Sequence, residues 1–230
     1  MIVDYYFIIA AAGSGTRLDK NNPKQFLEYN GSPLYINIVK ELEKNSKITA
    51  IIIITKKEYI NYVYETTKKY TNKKLYVLEG GKERQDSIYN GILFIKENLK
   101  GNAIIAVQDG ARPFVKQKYI DKTYEILLEN SKVKGVVVGV SSKDTIKIID
   151  ENNIIIETPK RDNLFIAHTP QVFWYETLYN AYKYAYENSY YGTDDSSLVE
   201  FYGEKIEVLI GDYDNIKITT KEDLLYLNEK

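Results

Sequence analysis

The chain contains no cysteine and a single histidine, His168. The first absence excludes disulfides, thiolate metal sites and thiol nucleophiles; the second excludes multi-histidine metal centres. Any chemistry must therefore rest on carboxylates, lysines, arginines, hydroxyls and a hard cation. Proline is sparse too, and Pro23, Pro33, Pro113, Pro159 and Pro170 all read as loop-like positions or element starts. Nor does either sign of charge dominate: 31 Lys and Arg face 32 Asp and Glu. That balance offers no global attraction to nucleic acid or an anionic membrane, so neither is expected as a partner and any bound anion must meet a local cluster. No run approaches the roughly 18 to 20 apolar residues of a membrane span, and the apolar stretch from Tyr5 to Ala12 lacks a basic leader. A soluble, cytoplasmic protein is expected. The 22 tyrosines, with abundant Ile, Lys and Asn, read as a coding bias without functional weight.

What is present is an alternation of short β-rich runs with longer helical segments, the pattern of β-α-β units around a mostly parallel sheet. At 230 residues a single α/β domain spanning 1–230 is the default. Strands are predicted at Tyr5–Ala12, Ala50–Thr55, Lys74–Leu78, Ala103–Asp109, Gly135–Val140 and Lys205–Ile210. Helices are predicted at Pro33–Lys44, Lys57–Tyr70, Gln85–Leu99 and Lys118–Asn130, with Pro33 in a first turn. After Val140 the alternation stops. Thr145–Ile149 and Ile154–Glu157 read as two short strands joined across Asp150–Asn153, an excursion from the main sheet. Helices at Trp174–Glu187 and Thr193–Tyr202, a strand at Asn215–Thr219 and a last helix complete the pattern.

Directly after the first strand comes Ala10-Ala11-Ala12-Gly13-Ser14-Gly15-Thr16-Arg17. Small residues let backbone N–H groups approach an anion, and Arg17 adds fixed charge. A tight strand-to-helix turn would use the same residues, and the spacing is neither that of a dinucleotide fingerprint nor of a P-loop. Lys24, in Pro23-Lys24-Gln25-Phe26-Leu27, puts a second cation near this loop; alone it would be a solvated surface lysine. At the end of the fourth strand stands Gln108-Asp109-Gly110-Ala111-Arg112-Pro113-Phe114, where the edge of a parallel sheet holds its ligand. Asp109 can hold Mg²⁺ against a triphosphate, which takes few protein ligands. An Asp–Arg pair pinning a loop is the structural alternative.

The segments AAAGSGTR, PKQFL, GKERQDSIYNG, QDGARPF, DTIK, HTPQVF, TDDSSLVE and NIKITTKEDL together resemble the 2-C-methyl-D-erythritol 4-phosphate cytidylyltransferase family, in order from about Ile8 to Leu224. The resemblance implies a three-layer Rossmann-like nucleotidyltransferase fold with a β-arm, and transfer of CMP from CTP to a sugar-alcohol phosphate with Mg²⁺. It also implies a homodimer made through an arm at 141–161. On that resemblance Ala11, Ala12, Gly13, Gly15, Thr16 and Arg17 wrap the phosphates and ribose, while Gly81, Lys82 and Ser87 line the cytosine pocket. Arg17 and Lys24 stabilise developing phosphate charge, and Asp109 ligates the metal. Arg112, Thr193 and Lys217 hold the acceptor phosphate from one subunit; Thr145 and Arg161 reach it from the neighbour. Ser87 and Thr193, taken alone, also suit helix caps. Gln108 stands where the family commonly has histidine, and His168 where it commonly has glutamine; His168 is assigned a structural role. Ribitol 5-phosphate cytidylyltransferase resembles the chain over the same fold, and a nucleotide-binding regulator without catalysis is the alternative from another class.

Overall fold

The computed structural model describes residues 3–13, 23–99, 102–220 and 222–228. Its sheet is built on β1 (Asp4–Ala10), whose side chains alternate between two apolar layers: Tyr5, Phe7 and Ile9 enter one, Tyr6 and Ile8 the other. A strand buried on both faces reads as a continuous hydrophobic run because helices cover both sides. Between β1 and the next core strand lie a small hairpin, β2 (Glu28–Tyr29) with β3 (Ser32–Pro33), and helix α1 (Leu34–Glu43). Asn30 and Gly31 turn the hairpin with φ of 51° and 69°, the pairing that a two-residue turn of this hand demands. Pro33 thus closes the hairpin and caps α1 rather than occupying its first turn.

Strand β4 (Ala50–Thr55), helix α2 (Ile60–Thr67), β5 (Lys74–Glu79), α3 (Arg84–Asn98), β6 (Ala103–Asp109), α4 (Gln117–Glu129) and β7 (Gly135–Ser141) follow the expected alternation. Helices α1, α2 and α4 pack on the face that holds Phe7 and Ile9. Helix α3 packs on the other with α5 (Tyr175–Glu187) and α6 (Asp195–Phe201). The arrangement is the three-layer, Rossmann-like α/β fold expected.

After β7 the chain leaves the sheet as the two-stranded ribbon β8 (Ile148–Ile149) and β9 (Ile155–Glu157). Asp150 accepts hydrogen bonds from the backbone N–H groups of Asn152 and Ile154 at its tip. The chain returns as β10 (Phe165–Trp174), inserted antiparallel between β6 and β7, and ends with β11 (Ile206–Ile210) and the short α7 (Leu225–Asn228). Among the described residues the main sheet has the order β11-β7-β10-β6-β1-β4-β5.

Two expectations are corrected here. Pro170 lies inside β10, not in a loop, and β10 was not expected as a strand at all. Proline is tolerated because the pairing with β7 is interrupted between Ala167 and Gln171, and pairing with β6 starts only at Gln171. The missing N–H falls where no ladder bond is made. The strand expected at Asn215–Thr219 does not form. That segment runs as irregular chain against the loop after β6, tied by the Ile218 N–H to the Ala111 carbonyl at 2.8 Å.

Candidate active site

The carboxyl ends of β1, β4, β5 and β6 converge on a cavity of about 370 Å³ lined by Ala12, Gly13, Gly80, Gly81, Lys82, Arg84, Ser87, Asp109 and Lys217, among others. Three backbone bonds draw these ends together: Ala11 N–H to Ile54, Gly80 N–H to Thr55 and Gly110 N–H to Ala10. Gly80 is required by close approach, since a Cβ there would stand 2.6 Å from that of Ala12 and 2.9 Å from Ser87 Oγ. The next residue, Gly81, donates its N–H to Ser87 Oγ at 3.0 Å, and Ser87 in turn donates to the Glu83 carbonyl. Ser87 is therefore a turn-fixing hydroxyl at the cavity wall, one helical turn into α3. A capping box between Glu83 and Asp86 starts that helix.

Asp109 lies buried at the cavity floor, at the end of β6. Lys217 Nζ stands 2.7 Å from Oδ2, Arg84 Nε 3.4 Å from Oδ1, and Arg112 Nε 3.8 Å from Oδ2. Burial alone would push its carboxyl up, but the charges of Arg84, Lys217 and Arg112 outweigh this and hold it at about 2. Its own N–H donates to Thr169 Oγ1 at 3.1 Å, which fixes the strand end against β10. Arg112 spends Nη1 on the Asn215 carbonyl at 2.8 Å. Its Nε is buried without a hydrogen-bond partner among the described residues, with Asp109 Oδ2 as a counter-charge at 3.8 Å. Three cations face two carboxylates, Asp109 and the Asp195 that also pairs with Arg84, and this cluster keeps a net positive charge, which suits a polyphosphate.

The expected residues separate into three groups. Ala12, Gly13, Gly81, Lys82, Ser87, Asp109 and Lys217 line one cavity, with Arg112 beside Asp109. Ala11 stands behind it: its side chain is in the core, its N–H goes to Ile54 and its carbonyl accepts from Gln25 and Thr55. Thr193, Thr145 and Arg161 are exposed and do not line the cavity, the last two standing on the excursion after β7. Gly15, Thr16 and Arg17 lie outside the described residues. Lys24 opens a 3₁₀ turn, Lys24–Phe26, next to Gln25.

Four contributors were not anticipated. Gln25 donates to the Ala11 and Gly13 carbonyls and so ties the small-residue loop to the turn that carries Lys24. Gln171 donates to Asp194 at 2.7 Å and accepts from the Ser196 N–H at 3.0 Å, which sets the start of α6 just after Thr193. Arg84 and Asp195 form a 2.7 Å ion pair that joins α3 to α6. Arg84 carried one legible clue: it is a cation at the first position of a helix, where the helix dipole disfavours positive charge. Such a residue needs carboxylate partners elsewhere, and it has two. His168 is buried with Nδ1 unpartnered among the described residues. Burial and the Arg112 charge push it down to about 4, so it is neutral.

Comparison with known proteins gives one answer. The family model of 2-C-methyl-D-erythritol 4-phosphate cytidylyltransferase matches residues 5–229. The chain is 50% identical over 223 residues to the protein of that name from Fusobacterium nucleatum subsp. nucleatum, covering 96% of this chain and 94% of that one. It is 42% identical over 221 residues to the Clostridioides difficile protein of the same name, covering 96% and 90%. The crystal structure of 4-diphosphocytidyl-2C-methyl-D-erythritol synthase from Anaerococcus prevotii superposes with a TM-score of 0.85 at 30% identity, over 99% of this chain and 95% of that one.

Proposed function

The chain belongs to the 2-C-methyl-D-erythritol 4-phosphate cytidylyltransferase family, and from that premise we propose how its residues carry the reaction. It is a CTP-dependent nucleotidyltransferase of isoprenoid biosynthesis, transferring CMP from CTP to 2-C-methyl-D-erythritol 4-phosphate. The observation that carries the assignment of roles is the convergence of the small-residue loop, the Gly80–Ser87 wall and the Asp109 cluster on one cavity. An acceptor phosphate oxygen is already a competent nucleophile near neutral pH, so no strong general base is needed. It attacks the α-phosphorus of CTP in line; the new O–P bond forms as the bond to the bridging oxygen of pyrophosphate breaks. Positioning and electrostatic stabilisation then supply most of the rate.

In this reading Ala12, Gly13, Gly15, Thr16, Arg17 and Lys24 surround the triphosphate, backed by Ala11, and Gly81, Lys82 and Ser87 bound the base. Arg112, Thr193 and Lys217 hold the acceptor phosphate. Asp109 suits a hard cation shared with a triphosphate, because its oxygens stay ionised and such a cation takes only one or two carboxylates from protein. Among the described residues no group of three or more acidic or histidine side chains gathers to hold a metal alone. Bound there, magnesium would supply charge neutralisation on the phosphates. Lys217 and Arg112, which now face Asp109, are the residues free to exchange that contact for an acceptor phosphate.

We further assign the 141–161 excursion as a dimer arm that brings Arg161 and Thr145 to a partner's acceptor phosphate, supported by the exposed isoleucines it carries. Two-fold exchange of two arms would give two equivalent composite sites. A cytoplasmic location accords with the absence of cysteine, and no helix among the described residues is long and apolar enough to cross a membrane. The deciding experiment measures kcat/KM with CTP, UTP and ATP against methylerythritol phosphate and ribitol 5-phosphate. CTP with methylerythritol phosphate is expected to lead; a higher value with ribitol phosphate would overturn the acceptor assignment and leave the chemistry intact.

A further inference from the structure

Arg84 makes contacts that the reaction as described does not use. It opens α3, and its guanidinium spans two carboxylates that lie far apart in sequence. Nη2 donates to Asp195 Oδ2 at 2.7 Å, and Nε faces Asp109 Oδ1 at 3.4 Å. The Asp195 end is an anchor. Asp195 is 0% exposed, and its other oxygen accepts from the hydroxyl of Tyr182, which is also fully buried. Tyr182 is held by the core of α5 and by a stack on Tyr89, with ring centroids 5.7 Å apart and planes 10° apart. The Asp109 end is the opposite, a single longer contact at the edge of the cavity that Arg84 helps to line.

We propose that Arg84 is a positioning residue: the buried Tyr182–Asp195 pair clamps its far edge so that its near edge holds the Asp109 carboxylate in one orientation at the cavity floor. The assignment rests on the cytidylyltransferase reading above. Three cations surround Asp109, and they differ in what holds them. Lys217 is on irregular chain, and its Asp109 contact is its only ion pair among the described residues. Arg112 is tied through a backbone carbonyl of the same irregular segment, Asn215. Arg84 alone is fixed by a buried carboxylate on another helix. When Lys217 and Arg112 turn to an acceptor phosphate, Arg84 is the partner that stays. A planar fork is needed for this, because one guanidinium can face two carboxylates while an ammonium acts as a point charge.

Neutralising a buried Asp195 would be a sufficient structural reason for an arginine here, and the test separates the two roles. Arg84→Lys keeps the charge and can still reach Asp195, but it cannot span to Asp109. We expect its thermal midpoint to stay near that of the wild type, its CTP dissociation constant, read by calorimetry, to stay within about twofold, and its kcat to fall about tenfold to a hundredfold, the scale of misplacing a group at a reacting centre. Arg84→Gly, with methylguanidine added, should regain kcat in a saturable way, whereas methylguanidine should leave the wild type unchanged. Unaltered kcat in Arg84→Lys would overturn the proposal, as would a fall in kcat that merely follows a fall in thermal midpoint. If Arg84→Gly does not fold, the Arg84→Lys comparison decides alone. A wild-type protein that fails to turn over CTP with methylerythritol phosphate would instead sink the functional reading, before either variant is compared.

Discussion

At the cavity floor, Asp109 is buried with three cations within 4 Å, and backbone bonds from Ala11, Gly80 and Gly110 close the described strand ends beside it. Between five and fifteen residues beyond β7 the opposite holds: Ile146, Ile148, Ile149, Ile154, Ile155 and Ile156 are all exposed, the last by 65%. Both stretches hold groups in the costlier environment, charge taken out of water in one and hydrocarbon left in water in the other. The floor resolves its problem within one chain by pairing. The arm has only the two-residue and three-residue strands of its own ribbon to pair with. Covering an isoleucine is favourable by about 1.5 to 3 kcal/mol when burial is complete, so an arm of this composition is stabilised by a second surface. The floor is finished in the single subunit, and in the proposed dimer the arm is finished by assembly.

The largest expected effect is at the floor. Asp109→Asn leaves Arg84, Arg112 and Lys217 without their shared counter-charge and removes the ionised oxygen suited to magnesium. We expect kcat to fall about 10² to 10³-fold, the scale of losing one preorganised electrostatic group. The magnesium titration of the residual activity should move to higher concentration. An unchanged titration curve would assign the metal to the nucleotide alone.

At the arm the expected effect is one of recovery. Arg161→Gln should disable the site across the interface, while Lys217→Ala disables the site in its own subunit. After subunits are exchanged, a mixed dimer has one site with both defects and one with neither. Random pairing makes about half the dimers mixed, so about a quarter of wild-type activity should return from two inactive proteins. No recovery after verified exchange would mean that each arm folds back onto its own subunit.

How much of this was legible in sequence follows the same division. Ala50–Thr55 and Ala103–Asp109 were placed to the residue because each is a short apolar run rich in β-branched residues, long enough for a strand and too short for a helix. Strand β10 was not legible, since Pro170 argues against a central strand and only the interruption between Ala167 and Gln171 removes the objection. At the site, Asp109 was singled out because it ends a predicted strand, whereas Gly81 and Ser87 were named only through the family resemblance; all three line the cavity. Asp195 was hidden, since it reaches the floor only through Arg84, 111 positions away in sequence. A contact of that separation leaves no local pattern.

A smaller effect is expected at His168, buried on β10. Its folded-state value of about 4 lies below the usual 6.5, because burial and then Arg112 disfavour the charged ring. The unfolded chain therefore binds this proton more readily than the folded one. The stability that His168 contributes is full above about pH 6.5 and declines as pH falls toward about 4. Thermal midpoints of the wild type and His168→Gln, compared at pH 7 and pH 5, should show the wild type losing more. Equal losses would mean that the ring is protonated within the fold.

The smallest effect belongs to a single hydroxyl in the finished region. Ser87 Oγ accepts from the Gly81 N–H at 3.0 Å and donates to the Glu83 carbonyl at 2.9 Å. It holds the turn at Gly81 against the first turn of α3 without carrying charge. Ser87→Ala removes both bonds and leaves the Gly81 N–H without its acceptor, at a cost of about 1 kcal/mol, the usual net worth of one neutral hydrogen bond. On the proposed assignment of this turn to the nucleotide side of the cavity, the loss should appear as a roughly fivefold rise in the CTP dissociation constant. Turnover at saturating CTP should change little, since a neutral wall group binds ground state and transition state alike. Steady-state kinetics with CTP varied at saturating acceptor, set beside calorimetric CTP titration, separates the two quantities. A fall in kcat with unchanged CTP affinity would move Ser87 from the wall of the nucleotide pocket to the reacting phosphates, and the Gly80–Ser87 segment would then have to be reassigned with it.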